Sequence, residues 1–478
     1  MDGETPASDA IEFGTDGWRA SLSVFTVPRV RMVGQAVATY LSDEGVTGPV
    51  AIGYDARDHS RKFAEELARV IVANGRPVTI ASRDCPTPVL AWTVADGSYA
   101  GGLMITASHN PPEYNGVKFV PASGEPALPP VTDVIEDRLA TPEPLESDAH
   151  EAITERDLSA PYLDHAQEFV AETLLDDETT LSSVLSGTTV ATDAMHGSGR
   201  GVTDRLLVEG GAAVERLRCD ADPTFGGVAP EPEPERAHDL IDRVTGGDAD
   251  LGVINDGDAD RIGLVTPERG YLDPNVVLAL VYEILLEDHE GDAARTVSTS
   301  SLVDRVGDTH GQQVHETAVG FKWIAQAMAE HDTLVGGEES GGYGISAHLR
   351  NKDGVLLALL AAVAHAQQSL DERIDALLEA YGSTHQDRLS VDCPPAQKSP
   401  VLERLEDALP DAFAGQSVAD VNTVDGFKIH LDDGSWILIR PSGTEPKLRV
   451  YAEADSDERV QQLLAAGEEL VAPLVEDE

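Results

Sequence analysis

The chain has 478 residues, with 85 acidic against 34 basic side chains and a formal charge of −51 at neutral pH. That balance argues against nucleic acid as a partner, because a phosphate backbone is bound by surplus cations. It also works against a compact fold in dilute buffer through self-repulsion, which molar salt relieves by shortening the Debye length to about 3 Å, so a halophilic cytoplasm is the expected setting.

The length predicts about three or four domains. No apolar run approaches the roughly 18 residues a membrane helix needs, and residues 1–9 lack the basic and apolar parts of a leader, so no membrane partner is expected. Cys85, Cys219 and Cys393 lie too far apart for a disulfide framework or a cysteine zinc site and read as small buried hydrophobes.

Along the chain, residues 13–19 (FGTDGWR) form a turn cluster that offers Arg19 to an anion, with a pure packing role equally open. Residues 50–55 (VAIGYD) read as a buried strand, followed by an amphipathic helix over 62–74, Gly75 and a second apolar run at 78–80. The same order returns at 189–193, with a helix over 201–208 and Val214. It returns again at 296–299, with a helix reaching Gly311 and then Val314. Crossovers of that length predict largely parallel strands. Residues 141–148 (TPEPLESD) have the composition of a hinge and mark the first domain boundary. Residues 229–235 (APEPEPE) read either as a second linker or as an extended surface loop. Alternating runs at 426–430 and 436–440 make the last unit mixed α+β.

Four loops carry chemistry-bearing residues. Residues 101–106 (GGLMIT) are short, apolar and glycine-bounded, which puts Ser108 of TASHNPP on the turn leaving a strand, where open α/β sheets place their sites. The same residue types also make ordinary turns. Asp256, Asp258 and Asp260 (DGDADR, 256–261) crowd one loop between apolar runs; hard divalent cations, Mg²⁺ above all, favour such oxygen ligands. A solvated acidic loop is the alternative in so acidic a chain. Residues 336–342 (GGEESGG) offer Glu338 and Ser340 on a glycine-permitted backbone, suited to sugar hydroxyls or to a plain turn. Residues 440–449 (RPSGTEPKLR) combine the hydroxyls of Ser442 and Thr444, backbone N–H groups around Gly443, and the cations Arg440, Lys447 and Arg449. They read as a dianion cradle or as a hairpin loop. Of only seven lysines, Lys118, Lys322, Lys352 and Lys447 fall in or beside such loops. His196, alone after a strand, is read as satisfied within its own loop.

In this order TASHNP, DGDADR, GGEESGG and RPSGTEPK, preceded by FGTDGWR, resemble the α-D-phosphohexomutase family (phosphoglucomutase/phosphomannomutase type) over essentially the whole chain. The resemblance implies an α/β fold of four domains in a heart-shaped arrangement. Three are related α/β domains with mixed, mainly parallel sheets: residues 1–147 with a phosphoserine loop, 148–266 with a metal loop and 267–372 with a sugar loop. An α+β domain at 373–478 carries a phosphate loop. It implies interconversion of hexose 1-phosphate and hexose 6-phosphate, of glucose or mannose, through a phosphoserine enzyme and a hexose 1,6-bisphosphate that is also the activator. Ser108 would be that phosphoserine and, with Asp256, Asp258 and Asp260, would hold one Mg²⁺ per active site. Lys118 and His109 would assist proton transfer, and Glu338 and Ser340 would contact the sugar. Arg440, Ser442, Gly443, Thr444 and Arg449 would hold the non-reacting phosphate, with Arg19, Arg261, Lys322 and Lys352 as charge contacts. The expected partner is a small phosphosugar, and the expected state a monomer or homodimer in the cytoplasm. The alternatives are a phosphoglucosamine mutase of the same family, a haloacid-dehalogenase-like phosphatase with Asp256 as nucleophile, and a catalytically silent sugar-phosphate binder.

Overall fold

A computed structural model of the chain describes residues 8–14, 16–142, 152–443 and 445–476. All but the first two residues of the expected hinge at 141–148 lie outside them. Four sheets organise the rest. In the first, strands β1 (Trp18–Ser21), β2 (Val50–Tyr54), β3 (Val78–Ala81), β4 (Gly101–Ile105), β5 (Tyr114–Pro121) and β6 (Ile153–Arg156) run in the order β1-β5-β4-β2-β3-β6. The second, of β7 (Thr189–Asp193), β8 (Ala213–Leu217), β9 (Leu251–Asn255), β10 (Ile262–Thr266) and β11 (Gly270–Tyr271), runs β11-β10-β9-β7-β8. The third, of β12 (Ala293–Thr296), β13 (Val314–Thr317), β14 (Val335–Gly337) and β15 (Tyr343–Ile345), runs β13-β12-β14-β15.

These three sheets repeat one winding. The first strand crosses over to the second, and the chain then returns past the first to lay down the third in parallel (β2, β3, β4; β7, β8, β9; β12, β13, β14), and an antiparallel strand follows. The reversal of direction between first and third strands opens a crevice at their carboxyl ends, the switch point at which such sheets bind ligands. Ser108, Asp256 and Glu338 all follow a third strand, so the repeat itself delivers three loops to equivalent places.

Two of the three expected repeat copies match the observed strands closely. The third is displaced: the strand is Ala293–Thr296, not residues 296–299. The β-branched and hydroxyl residues 297–299 form the loop beyond it, where Ser298 and Thr299 donate to Glu339 at 2.7 and 3.4 Å. The strand itself is poor in β-formers and is held by burial and by ion pairs of Arg295 with Asp304 and Glu316.

Strand β6 lies beyond the boundary expected at residue 147 yet pairs in parallel with β3, Val78 opposite Ile153. Helix Gly354–Gln367 lies on the third unit's side of the boundary at 266, yet it packs on helices Ser159–Leu174 and Thr203–Gly210 and on β9. Residues 354–364 are all buried, so the helix is apolar on every face and needs cover from more than one unit. Residues 229–235 are a packed loop and no linker, since Gly257 N donates to Pro230 O at 3.1 Å and Glu231 lies 3.6 Å from Arg261.

The fourth sheet is wholly antiparallel: β16 (His385–Asp392), β17 (Ala412–Phe413), β18 (Gln416–Asn422), β19 (Phe427–Leu431), β20 (Trp436–Pro441) and β21 (Lys447–Ala454), ordered β16-β21-β20-β19-β18-β17. It has its own core of Ile437, Ile439, Leu448 and Val450 under helix Asp457–Glu476, whereas the three α/β units share one. Cys85 and Cys393 are buried free thiols, but Cys219 is only half-buried. No helix among the described residues is long and apolar enough to cross a membrane.

Candidate active site

Ser108 follows the first unit's third strand in a left-handed conformation, φ 51°, and is only 1% exposed. Few side chains tolerate that backbone unless neighbours over-determine it. Here Ser108 N donates to Thr106 Oγ1 (2.8 Å), and Arg57 donates to the carbonyls of Ser108 (2.5 Å), Asn110 (2.5 Å), Pro111 (2.7 Å) and Tyr114 (3.2 Å). Asp55 at the end of β2 holds Arg57 at 3.0 Å, with Ser60 and Thr106 donating to the same carboxylate. Both ionic groups are fully buried, so removing one strands the other. Arg57→Met is therefore expected to cost about 3–5 kcal/mol, seen as an earlier first transition in urea unfolding.

The Ser108 hydroxyl donates to Asp256 Oδ2 at 2.9 Å, and His109 Nδ1 stands 3.4 Å from it. Gly257 must be glycine at this junction, since a Cβ would fall 2.6 Å from Ser108 O. Asp256, Asp258 and Asp260 are buried, with ligand oxygens all within 4.8 Å of one another. Asp256 also accepts from Arg261 N at 3.1 Å. Asp258 Oδ2 accepts from Thr87 (2.6 Å) and Lys118 (3.0 Å); Asp260 Oδ2 accepts from Lys118 (3.1 Å) and pairs with Lys352 (2.9 Å). Asp258 Oδ1 and Asp260 Oδ1 are buried and find no hydrogen bond among the described residues. Two orphaned carboxylate oxygens beside Asp256 and a serine hydroxyl are a donor set that fits a hard divalent cation.

The charges around this centre are tightly coupled. Burial, then repulsion from Asp258 and Asp260, pushes the Asp256 carboxyl well above the usual range. Burial also opposes ionisation of Asp258, but Lys118 and the donations from Asp256 and Thr87 outweigh it and hold it well below. Lys118 is buried too, yet Asp16 at 2.7 Å together with Asp258 and Asp260 raises its affinity for the proton. In this geometry Lys118 is a fixed cation and proton donor rather than a base. His109 is kept neutral by burial and by the cations Arg261, Arg19 and Lys352.

The third loop touches the second, as Ile262 N donates to Gly341 O at 2.9 Å. Glu338 is pushed up to about 7, chiefly by burial, with Lys352 opposing and Glu339 adding to the rise. The folded carboxyl thus keeps its proton to about pH 7 where an ordinary one releases it near 4.5. Stability from this group is full below 4.5 and is lost as pH rises through 7. Glu338→Gln is expected to flatten the fall of melting temperature over that window. Ser340 Oγ is buried with no bonding partner among the described residues. Glu339 faces away into the hydroxyls of Thr296, Ser298 and Thr299.

Arg19 reaches the serine loop through Asn110 (3.2 Å) and pairs with Asp16 (2.9 Å), while Lys322 stands 5.5 Å over its neighbour Trp323. Burial lowers the Lys322 ammonium, against the pull of Asp16 and Asp133. In the fourth unit Arg440 pairs with Asp425 (2.9 Å) and Arg449 with Glu445; Gly443 is exposed, and Thr444 lies outside the described residues. Lys398 bridges the carbonyls of Ser442 (2.6 Å) and Glu445 (2.7 Å), drawing the loop's shoulders together. The ion pairs of Arg440 and Arg449 stay within the fourth unit, whereas the first three loops touch one another. That unit docks on the third through Gln386 to Ser298 O (2.6 Å) and Ser301 N to Glu453 (3.1 Å). His196 is held within its own loop, its ring against Asp220 and its N donating to Arg218 O at 2.8 Å.

Sequence reasoning missed Asp55, Arg57, Thr87, Glu231 and Lys398. Asp55 and Arg57 had a readable signal, an acid and a cation just after a buried strand of the repeat; Thr87 and Lys398 act only across the fold and had none.

Three repeated α/β units whose equivalent loops meet, completed by an antiparallel fourth, define a multidomain α/β phosphotransferase. The chain belongs to the phosphoglucomutase/phosphomannomutase family. Sequence models of that family's α/β/α domain I match residues 10–146, domain II 160–270, domain III 273–381 and the C-terminal domain 391–469. It is an isomerase that acts by intramolecular phosphoryl transfer. A probable phosphoglucosamine mutase of Methanopyrus kandleri is 34% identical, over 97% of this chain and 98% of its own. A phosphoglucomutase/phosphomannomutase of Thermococcus kodakarensis is 30% identical over 96% and 98%. The crystal structure of a putative phosphomannomutase from Thermus thermophilus superposes with a TM-score of 0.83 at 32% identity, covering 97% of this chain and 99% of its own.

Proposed function

We propose that the chain is a Mg²⁺-dependent mutase that interconverts hexose 1-phosphate and hexose 6-phosphate through a phosphoserine at Ser108 and a hexose 1,6-bisphosphate. The observation that carries this reading is the Ser108 hydroxyl 2.9 Å from Asp256, inside a triad with two unpartnered carboxylate oxygens. Asp256, Asp258, Asp260 and Ser108 would hold the ion, which when bound supplies neutralising charge for the phosphoryl oxygens. Lys118 steadies Asp258 and Asp260 and can donate a hydrogen bond to a departing oxygen, and neutral His109 can accept the serine proton. Arg19, Arg261 and Lys352 add cations around a phosphate in an otherwise acidic protein. Glu338 and Ser340 present oxygen atoms to sugar hydroxyls, and the loop of Arg440, Ser442, Gly443, Thr444 and Arg449 supplies the clamp for the phosphate that does not react.

Glucose and mannose phosphates are the substrates of the favoured reading. The name of the Methanopyrus kandleri relative favours a second one, glucosamine phosphate, for the same chemistry. Phosphorus NMR of the enzyme with Mg²⁺ and each of the three sugar 1-phosphates tests both. Appearance of the 6-phosphate signal supports the mutase, and the fastest sugar decides between readings. Free inorganic phosphate in place of a 6-phosphate would overturn it.

A further inference from the structure

Behind Lys352 lies a buried polar chain that the proposed chemistry leaves unused. Asp353 is fully buried and caps helix Gly354–Gln367 by accepting from Val355 N (3.0 Å) and Leu356 N (2.8 Å). A cap needs nothing more. Yet the same carboxylate takes the Tyr162 hydroxyl at 2.7 Å and His348 Nε2 at 2.8 Å, and His348 Nδ1 lies 3.0 Å from His165 Nε2. One assignment of protons satisfies every contact: His165 donates from Nε2 to His348, and His348 donates from its own Nε2 to Asp353. The His165 ring stacks on Trp92 with centroids 4.9 Å apart. The chain of contacts thus begins on helix Thr87–Asp96 of the first unit, passes through helix Ser159–Leu174 and ends one residue from Lys352.

The neighbouring backbone is pinned as well. Asn351 Nδ2 donates to Gly124 O of the first unit at 2.9 Å, Lys352 N donates to Asn351 Oδ1 at 2.9 Å, and Asp353 N donates to Tyr343 O at 2.9 Å. The Lys352 stem runs over Gly342, where a Cβ would fall 2.4 Å from Lys352 Cδ. Its Nζ arrives 2.9 Å from Asp260. A buried carboxylate loaded with side-chain donors from two units costs desolvation and is justified when it fixes a geometry.

We propose that His165, His348 and Asp353 are positioning residues that hold Lys352 on Asp260, so that the charge at the metal loop depends on how three units pack behind it. The inference deepens the proposed function and rests on it for the role of the metal loop. The experiment uses the full chain and Mg²⁺ alone, by titration calorimetry, in His165→Phe, His348→Phe, Lys352→Met and the double variants with Lys352→Met. Lys352→Met removes a cation that competes for Asp260 and is expected to tighten Mg²⁺ binding about tenfold. Each histidine variant is expected to tighten it in the same direction, with no further change once Lys352 is methionine. His165→Gln, which keeps a donor for His348, should restore the wild-type affinity, and His165→Phe, at a half-buried site stacked on Trp92, carries the test if His348→Phe fails to fold. Unchanged Mg²⁺ affinity in a folded His165→Phe chain, or effects that add to that of Lys352→Met, overturns the inference. Wild-type mutase turnover is measured alongside, so an active mutase with an additive cycle sinks the positioning chain alone. An inactive chain with a non-additive cycle sinks the mutase reading alone, and a wild type that binds no Mg²⁺ sinks both.

Discussion

Ser108→Ala is expected to lower mutase turnover by about 10⁴-fold or more, the scale on which loss of a nucleophile acts, and to leave the protein folded. The loop does not depend on the hydroxyl. Its left-handed residue is held by four carbonyl bonds from Arg57 and by Ser108 N on Thr106, none of which involves Oγ. Alanine meets the same backbone constraint as serine at φ 51°, so the strain is unchanged. What disappears is the atom proposed to carry phosphate and the donor to Asp256. Steady-state kinetics beside a melting curve separate the two, and near-normal turnover in a folded variant would contradict the assignment.

Asp256→Asn has the second large effect and a different signature. Burial and two neighbouring carboxylates disfavour the charge on Asp256, so a neutral amide in its place suits the metal-free protein. The melting temperature without metal should hold or rise. The wild type should gain stability with Mg²⁺ by mass action and the variant little, and the variant's turnover should fall by about 10³-fold or more. A variant that still responds fully to Mg²⁺ would remove Asp256 from the ligand set. Asp258→Asn and Asp260→Asn are poorer probes, because both acids also anchor Lys118.

Much of this was legible beforehand for a physical reason: strands buried on both faces are written as unbroken apolar runs, and β2, β4 and β9 are entirely buried. The candidate loops stood out by crowding glycine, hydroxyl and charge at the ends of such runs. The third repeat was misplaced because Thr-Val-Ser-Thr has the β-propensity while Ala-Ala-Arg-Thr has the place in the sheet; tertiary burial and the ion pairs of Arg295 overrode local preference. The apolar composition of residues 354–364 said that the helix is buried, but no local pattern says against which unit. The same holds for Thr87, whose partner Asp258 lies 171 residues away. Lys118 was legible as a candidate, but its ion pairs depend on Asp16, Asp258 and Asp260 converging in space.

Phosphoryl transfer through one serine is tested most directly by incubating the protein and Mg²⁺ with hexose 1,6-bisphosphate labelled in its phosphates, then mapping the label by peptide mass spectrometry. Acid-stable phosphate on the peptide containing Ser108, discharged when unlabelled hexose 6-phosphate is added, is the predicted result. Label on Asp256 as an acid-labile acyl phosphate, or on no residue while turnover proceeds, would contradict it.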